Sequence, residues 1–539
     1  MLITRSTEGF RVNAKIRRRQ VHRKRRMQRK QGERQRRIQR QLAVRRQRIR
    51  RRLERSGGGA GPLFAARNIR YEIADRQRGI GFGGIGTIHL LARQLGLIDA
   101  INDRLHLLKI HQPYHESDHV LNFAYNALCD GTCLDDIELR RNDEAFLDAL
   151  AAERIPDPTT AGDFCRRFAS EQVQLLQDIF NDVRLQAWAK QPAAFFQQAR
   201  IDLDGTLVPT GGECKEGIDI AYDGTWGYHP LVVSLANTNE VLSIINRSGN
   251  RPSHEGAAAE VDRAIAVCAR GGFRNILLRG DTDFTQTKHL DRWTDNPRVQ
   301  FIFGMDAHAK VSMLADDLPA DAWRKLQRPP RYRIKTQRRR RPKNIKERIV
   351  VAREFDNIRL VSEQVAEFEY RPTACRKSYR LVVIRKNLSV EKGEQVLFDD
   401  YRYFFYLTND RVSSAAAIVF SANDRCNQEN LHAQLKHGVR ALQAPVDNLV
   451  SNWAYMVMTA LAWNLKAWWA LTLPESGRWH DRRRAEKRTV LMMEFKTFVN
   501  AFVRLPCQII RTGRQLVYRL LSWNPWQEVF FRVCAVLRC

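Results

Sequence analysis

Between residues 198 and 303 the apolar residues change period in an order that leaves few folds open. Ile201–Leu207 alternates as a strand does. His229–Ala236 and Glu240–Asn246 read as two more strands, joined by the turn Asn237-Thr-Asn. An Ala-rich helix over 255–270 closes at Gly271-Gly272, a residue type suited to a helix C-terminus. Asn275–Leu278 reads as a buried strand, followed by a helix over 284–294 and a strand from Val299. The succession is strand, strand, strand, helix, strand, helix, strand. One sheet with helices against its faces accommodates it.

That is the order of a ribonuclease-H-like α/β core whose last helix is absent at this point. A helical pattern fit for the role returns only over 423–442. The segment between is rich in alternating runs: Tyr332-Arg-Ile-Lys, Arg348-Ile-Val-Val-Ala, Tyr379-Arg-Leu-Val-Val-Ile and Tyr403-Phe-Phe-Tyr-Leu. We read it as a β-rich insertion, because structureless loops of that length are rare in compact domains. Residues 78–190 are helical in pattern, with Thr159 or Thr160 expected to cap a helix after Asp157-Pro158. Helices are expected over 446–472 and 488–521. Trp453–Leu473 is interrupted by Asn464 and Lys466 and falls short of a bilayer span, so it reads as a buried helix and no membrane is expected.

Carboxylates stand at the ends of these elements. Asp204 leaves the first strand ahead of Gly205, where a glycine permits close approach. Asp202 shares its face and could be a buried hydrogen-bonding group or a second metal contact. Asp281 follows the strand at 275–278, while Asp283 suits a helix N-cap with Gln286 reaching back. On the late helix Arg425, Glu429, His432 and Lys436 share one face, with Leu431, Leu435 and Leu442 on another flank. A solvated Arg–Glu pair would explain such a stripe on an isolated helix. After two strand-end aspartates, an active site explains it better. Asp204, Asp281 and Glu429 are hard oxygen donors suited to Mg²⁺ or Mn²⁺, two ions per site. Arg425 and Lys436 would grip phosphate oxygens.

The chain's net charge is +31, and residues 1–55 alone hold 20 Arg and 3 Lys against 3 Glu. Such an excess implies a polyanionic partner. A second basic cluster, Arg338 and Arg339 with Arg340, Arg341 and Lys343, lies in the insertion and would line a DNA path. Ser56–Pro62 is a Gly-rich linker. The ten cysteines form no paired clusters, which argues against structural zinc and for reduced thiols. His111, His115 and His119 have ligand-like spacing, but Pro113 spoils a regular helix between the first two.

Arg425-x3-Glu429-x6-Lys436, with Asp204-Gly-Thr and Asp281, resembles the signature of insertion-sequence-4-like DDE transposases. Ser243-Ile-Ile-Asn-Arg-Ser-Gly-Asn250, Phe404-Phe-Tyr-Leu-Thr-Asn409 and Asn452 with Asn464-Leu resemble the bacterial insertion-sequence 1380 group in particular. The resemblance spans about 80–505 and excludes the Arg-rich arm. The signature's tyrosine would fall at position 422, which is Ala422 here, so its supporting contact is missing or comes from elsewhere. The resemblance implies a divalent-metal enzyme that cleaves DNA at terminal inverted repeats and joins the ends to target DNA. It implies a dimer or larger synaptic multimer in the bacterial cytoplasm, associated with the nucleoid. The expected organisation is an arm and linker (1–60), a helical DNA-end-binding domain (61–195) and the first part of the core (196–306). The β-rich insertion (307–413), the core helix bearing Glu429 (414–445) and a C-terminal helical region (446–539) complete it. The alternatives are an inactive transposase-derived DNA-binding protein, or an RNA-binding protein that uses the Arg-rich arm.

Overall fold

The computed structural model describes residues 4–54, 69–72, 77–328, 345–353, 357–391, 400–512 and 515–538. Its centre is one mixed sheet. Five strands carry the pattern read from the sequence: β1 (Gln198–Gly205), β2 (Leu231–Leu235), β3 (Glu240–Ile245), β4 (Asn275–Gly280) and β5 (Val299–Met305). In space they run β3-β2-β1-β4-β5. The first three are antiparallel, whereas β4 joins both β1 and β5 in parallel. The parallel strands are buried on both faces, which is why Ile276, Leu277 and Leu278 form a continuous apolar run and not an alternation.

The same sheet continues beyond β5. Strands β6 (Asn357–Tyr370), β7 (Tyr379–Glu391) and β8 (Asp400–Thr408) add antiparallel in the order β5-β8-β7-β6, with the short strand Arg324–Lys325 at the edge. The segment read as β-rich therefore extends the central sheet. Its longest strand, β6, was not among the expected runs. Arg348-Ile-Val-Val-Ala, expected as a strand, lies in the helix Ile345–Ala352. Ile345 and Ile349 are exposed there, and β-branched residues favour strands only where a half-buried pleated surface receives them. Tyr332 and the Arg338, Arg339 cluster fall outside the described residues, as does the linker at 56–62.

Helices cover both faces. The N-terminal region is helical from Ile85 to Trp188, as the pattern indicates, and ends in α2 (Ser170–Trp188); α1 is the arm helix (Thr4–Leu53). Asp157, not Thr159 or Thr160, caps the helix Pro158–Arg166, its carboxylate accepting from Thr160 N at 2.9 Å. His119 is buried and stacked on Phe164, a core role, and His115 stands outside that helix. The arm turns a partly buried stripe, Ile38, Leu42, Arg45 and Ile49, toward the body, where Arg45 donates to Leu520 O and Ser522 O. Helices α3 (Ala257–Arg270) and α4 (Thr287–Asp295) join the main core through Val261, Ala264 and Leu290. Helix α5 (Ala415–Asp424) closes a second cluster, setting Ile418 and Val419 against Leu277, Ile302, Val382 and Ile384. The helix expected over 423–442 is divided into the end of α5, then α6 (Asn427–Ala433), then a π-helical turn, Gln434–Gly438.

Helix α7 (Leu449–Leu471) is buried at every residue from Ser451 to Leu471. Among the described residues no helix is long and apolar enough to cross a membrane. Its polar residues explain why it resembles a span without being one. Asn464 takes a bond from Val241 N and returns one to Val241 O, acting as one more strand residue beside edge strand β3. Glu240, wholly buried on β3, accepts from Arg184 and Trp188 of α2, Trp468 of α7 and Thr238. One carboxylate thus ties together the N-terminal helices, the sheet and the C-terminal helices. The helix expected over 488–521 stops early. Cys507–Thr512 and Gln515–Leu520 form a hairpin that pairs with Gly79–Ile80, alternating buried and exposed side chains in strand fashion.

Lys466 is buried in α7, donates to Leu491 O at 3.0 Å and lies over the Trp463 ring. Burial lowers its pKa from 10.5 to about 7. Below that value both folded and unfolded chains hold the proton, and the full burial penalty applies. Between it and the unfolded value only the unfolded chain holds the proton, so stability rises with pH. Lys466→Met is expected to stabilise the protein most at and below neutral pH, by several kcal/mol, with the gain shrinking toward pH 10. Urea unfolding at a series of pH values checks this.

Candidate active site

The strand order brings the two aspartates side by side. β1 and β4 are parallel neighbours with Asp202 opposite Arg279, so Asp204 and Asp281 leave the sheet at the same end. Asp202 and Asp204 share a face but have different surroundings. Asp202 is fully buried and receives both Nε and Nη2 of Arg279, at 2.6 and 2.8 Å. That bidentate pair makes it the hydrogen-bonding carboxylate of the two readings and leaves Asp204 facing the opening. Gly205 is required, because a Cβ there would meet Nε2 of His229 at 2.6 Å. Asp283 is not the cap of the following helix. Instead the Asp281 carboxylate accepts from Asp283 N at 3.2 Å, closing a tight turn, and α4 begins only after Gln286.

Helix α6 is fastened across the sheet by a residue the sequence did not single out. Gln428, buried, donates to Val232 O at 3.0 Å and accepts from Ser234 Oγ at 3.1 Å. Val232 and Ser234 are the β2 partners of Asp204 and Asp202. Glu429, one residue further, is exposed, and its charge adds to the burial that raises the Asp204 pKa. The helical ladder is tightened just before, with Arg425 N, Cys426 N and Gln428 N each bonding three residues back, and it widens after Ala433. Arg425 and Lys436 therefore lie outside the regular turns of α6, yet both still face Asp204.

Arg425 reaches the Asp204 carboxylate at 3.3 Å and that of Asp281 at 3.8 Å. Nδ1 of His432 is 3.9 Å from the same Asp204 oxygen. Burial, opposed by Arg425 and reinforced by Asp281 and Glu429, pushes the Asp204 carboxyl up to about 7. Asp281 is raised too, first by burial. Burial lowers Lys436, with Asp204 acting against it. Burial, then Lys436 and Arg425, lower His432 to about 3, so its imidazole is neutral, and its buried Nε2 has no hydrogen-bond partner among the described residues. A tyrosine also reaches this corner. Tyr406 of β8, bonded weakly to Asn423 at 3.5 Å, is close enough to Arg425 to feel its charge. Gln428, His229 and Tyr406 had no distinguishing signal in the sequence, since each becomes informative only through its cross-sheet partner.

The family model described as Transposase DDE domain group 1 matches residues 81–539. The chain belongs to the DDE transposase family. No curated protein matches it. Among solved structures, a piggyBac transposase synaptic complex with hairpin DNA, determined by cryo-electron microscopy, is 10% identical with a TM-score of 0.34. The likeness covers 78% of this chain and 82% of that one, and it is too loose to carry an argument.

DDE transposases use divalent metal ions. Among the described residues no three His, Cys, Asp or Glu side chains stand close enough together to hold one. Asp204 and Asp281 are met instead by the Arg425 guanidinium. The donors suit a hard divalent ion nonetheless: they are carboxylate oxygens, and burial, reinforced by Asp281 and Glu429 and opposed by Arg425, makes Asp204 hold its proton to about 7.

The anchoring of α6 is open to test. Gln428→Ala removes the partner of the buried Ser234 hydroxyl and a second donor to Val232 O, and is expected to cost about 1–3 kcal/mol. Denaturant unfolding measures that cost. An unchanged midpoint would show that α6 is held without Gln428, by packing such as that of Leu431.

Proposed function

We propose that this protein is an active transposase of the insertion-sequence 1380 group, cleaving DNA at terminal inverted repeats and joining the ends to target DNA. What supports this reading is the Arg425 guanidinium set against the carboxylates of Asp204 and Asp281 at one end of parallel strands, in a chain of the DDE transposase family. The strand order β3-β2-β1-β4-β5 supports a ribonuclease-H-like core made of 196–306 and 414–445, with 307–413 inserted between them. Asp204, Asp281 and Glu429 would hold two Mg²⁺ or Mn²⁺. When bound, such a pair activates the attacking oxygen and stabilises the leaving one.

The chain's own residues have distinct parts. Arg425 screens the carboxylates from one another and, once divalent ions neutralise them, is free to turn to a phosphate. Lys436, half-buried next to Asp204, supplies a second cation at the strand being cut. His432 is neutral and so adds no charge to the site. Double-stranded DNA is the partner: the ends against the helices of 61–195, with the Arg338, Arg339 cluster of the insertion lining the DNA path. The working state is a homodimer or larger synaptic assembly in the bacterial cytoplasm.

The test is incubation of the full chain with its flanking DNA, with and without Mg²⁺, and mapping of the cut ends. Cuts confined to the inverted repeats and dependent on the ion are expected. Glu429→Gln should abolish nicking while DNA binding persists, and unchanged nicking would remove Glu429 from the site. Arg425→Ala should weaken DNA binding and reduce the slope of log K against log salt by about one contact. Equal slopes would show that Arg425 does not touch DNA.

A further inference from the structure

We propose that Arg279, held by Asp202, is a positioning residue that sets the alignment of the strand pair bearing Asp204 and Asp281 with the end of α5 that leads into Arg425. The proposal rests on the active-site reading above. Asp202 lies two residues before Asp204, and Arg279 two before Asp281, in register on adjacent parallel strands. The pair is almost wholly buried, at 2% exposure for each side chain. Two of the guanidinium's nitrogens are committed to Asp202. The third, Nη1, donates to Ser421 O at 2.8 Å. Ser421 is in the last turn of α5, where carbonyls lack helical partners, and one turn before Arg425. One planar group on β4 therefore joins β1 to the end of α5.

A purely stabilising role explains this poorly. A buried ion pair gives little stability over apolar residues of the same volume, and Leu277 and Ile302, beside Arg279 on the same face of the sheet, show that this face accepts them. The geometry needs an arginine specifically. A lysine could pair with Asp202, but its single ammonium has no rigid fork to span Asp202 and Ser421 O together. Gln428 fixes the other side of the break, on β2, so loss of Arg279 frees the end of α5 while α6 remains docked.

Two full-length variants separate positioning from folding. Arg279→Lys keeps the charge and gives up the bridge to Ser421. The double variant Asp202→Leu with Arg279→Met removes both charges together, leaving no buried charge unpaired. Each is compared with the unaltered chain by near-ultraviolet circular dichroism, by Mn²⁺ binding without DNA (paramagnetic resonance of the free ion), and by kcat and KM for cleavage of terminal DNA. The expected result is native dichroism, Mn²⁺ affinity reduced about 10–100-fold as for other residues that orient ligands, and a fall in kcat with KM for DNA changed less than about twofold. Folded variants that bind Mn²⁺ and cleave like the unaltered chain would overturn the positioning role and leave the active-site reading intact. An unaltered chain that binds no Mn²⁺ and cuts no DNA would overturn both.

Discussion

A buried guanidinium between two strands and a helix end is the contact on which the rest of this structure turns. Asp202 and Arg279 occupy interior positions of β1 and β4, where an unpaired charge would be severely unfavourable. They face each other in the register of the two strands, which brings Asp204 and Asp281 out at the same end. The remaining nitrogen bonds Ser421 O near the end of α5, and Arg425 follows against the two carboxylates.

A second buried carboxylate organises the other side of the molecule. Glu240 gathers Arg184, Trp188 and Trp468, and Asn464 extends β3's hydrogen bonding onto α7. The edge of a sheet is normally a liability that must be covered. Here a long apolar helix covers it, with Asn464 and the Trp453 indole meeting backbone groups of β3. This lets the central helix be nearly as apolar as a membrane span while lying inside a folded protein.

Much of this could be read from residues alone. The alternation from β1 to β5 and the Ala-rich α3 follow from period and from glycine punctuation, since both faces of each element are decided locally. Asp204 and Asp281 stood out because they end apolar strands. What could not be read depends on partners distant in sequence. Arg348–Ala352 looks like a strand and lies in the helix Ile345–Ala352, paired with no strand among the described residues. Cys507–Leu520 looks helical by composition, and pairing with Gly79–Ile80 makes it a hairpin. The regular helix imagined through Arg425 and Lys436 is tightened and then widened, a departure that spacing arithmetic does not register. Asp202 and Asp204 differ only by the arrival of Arg279 and Arg425 from elsewhere in the chain.

The decisive measurement is an anomalous-scattering map from crystals of the full chain grown with Mn²⁺ and a DNA end. The expected outcome is two Mn²⁺ peaks bounded by Asp204, Asp281 and Glu429, with Arg425 turned away onto a phosphate and Arg279 still forked onto Asp202. Peaks elsewhere, or a bound end with Glu429 remote from Asp204, would contradict the site.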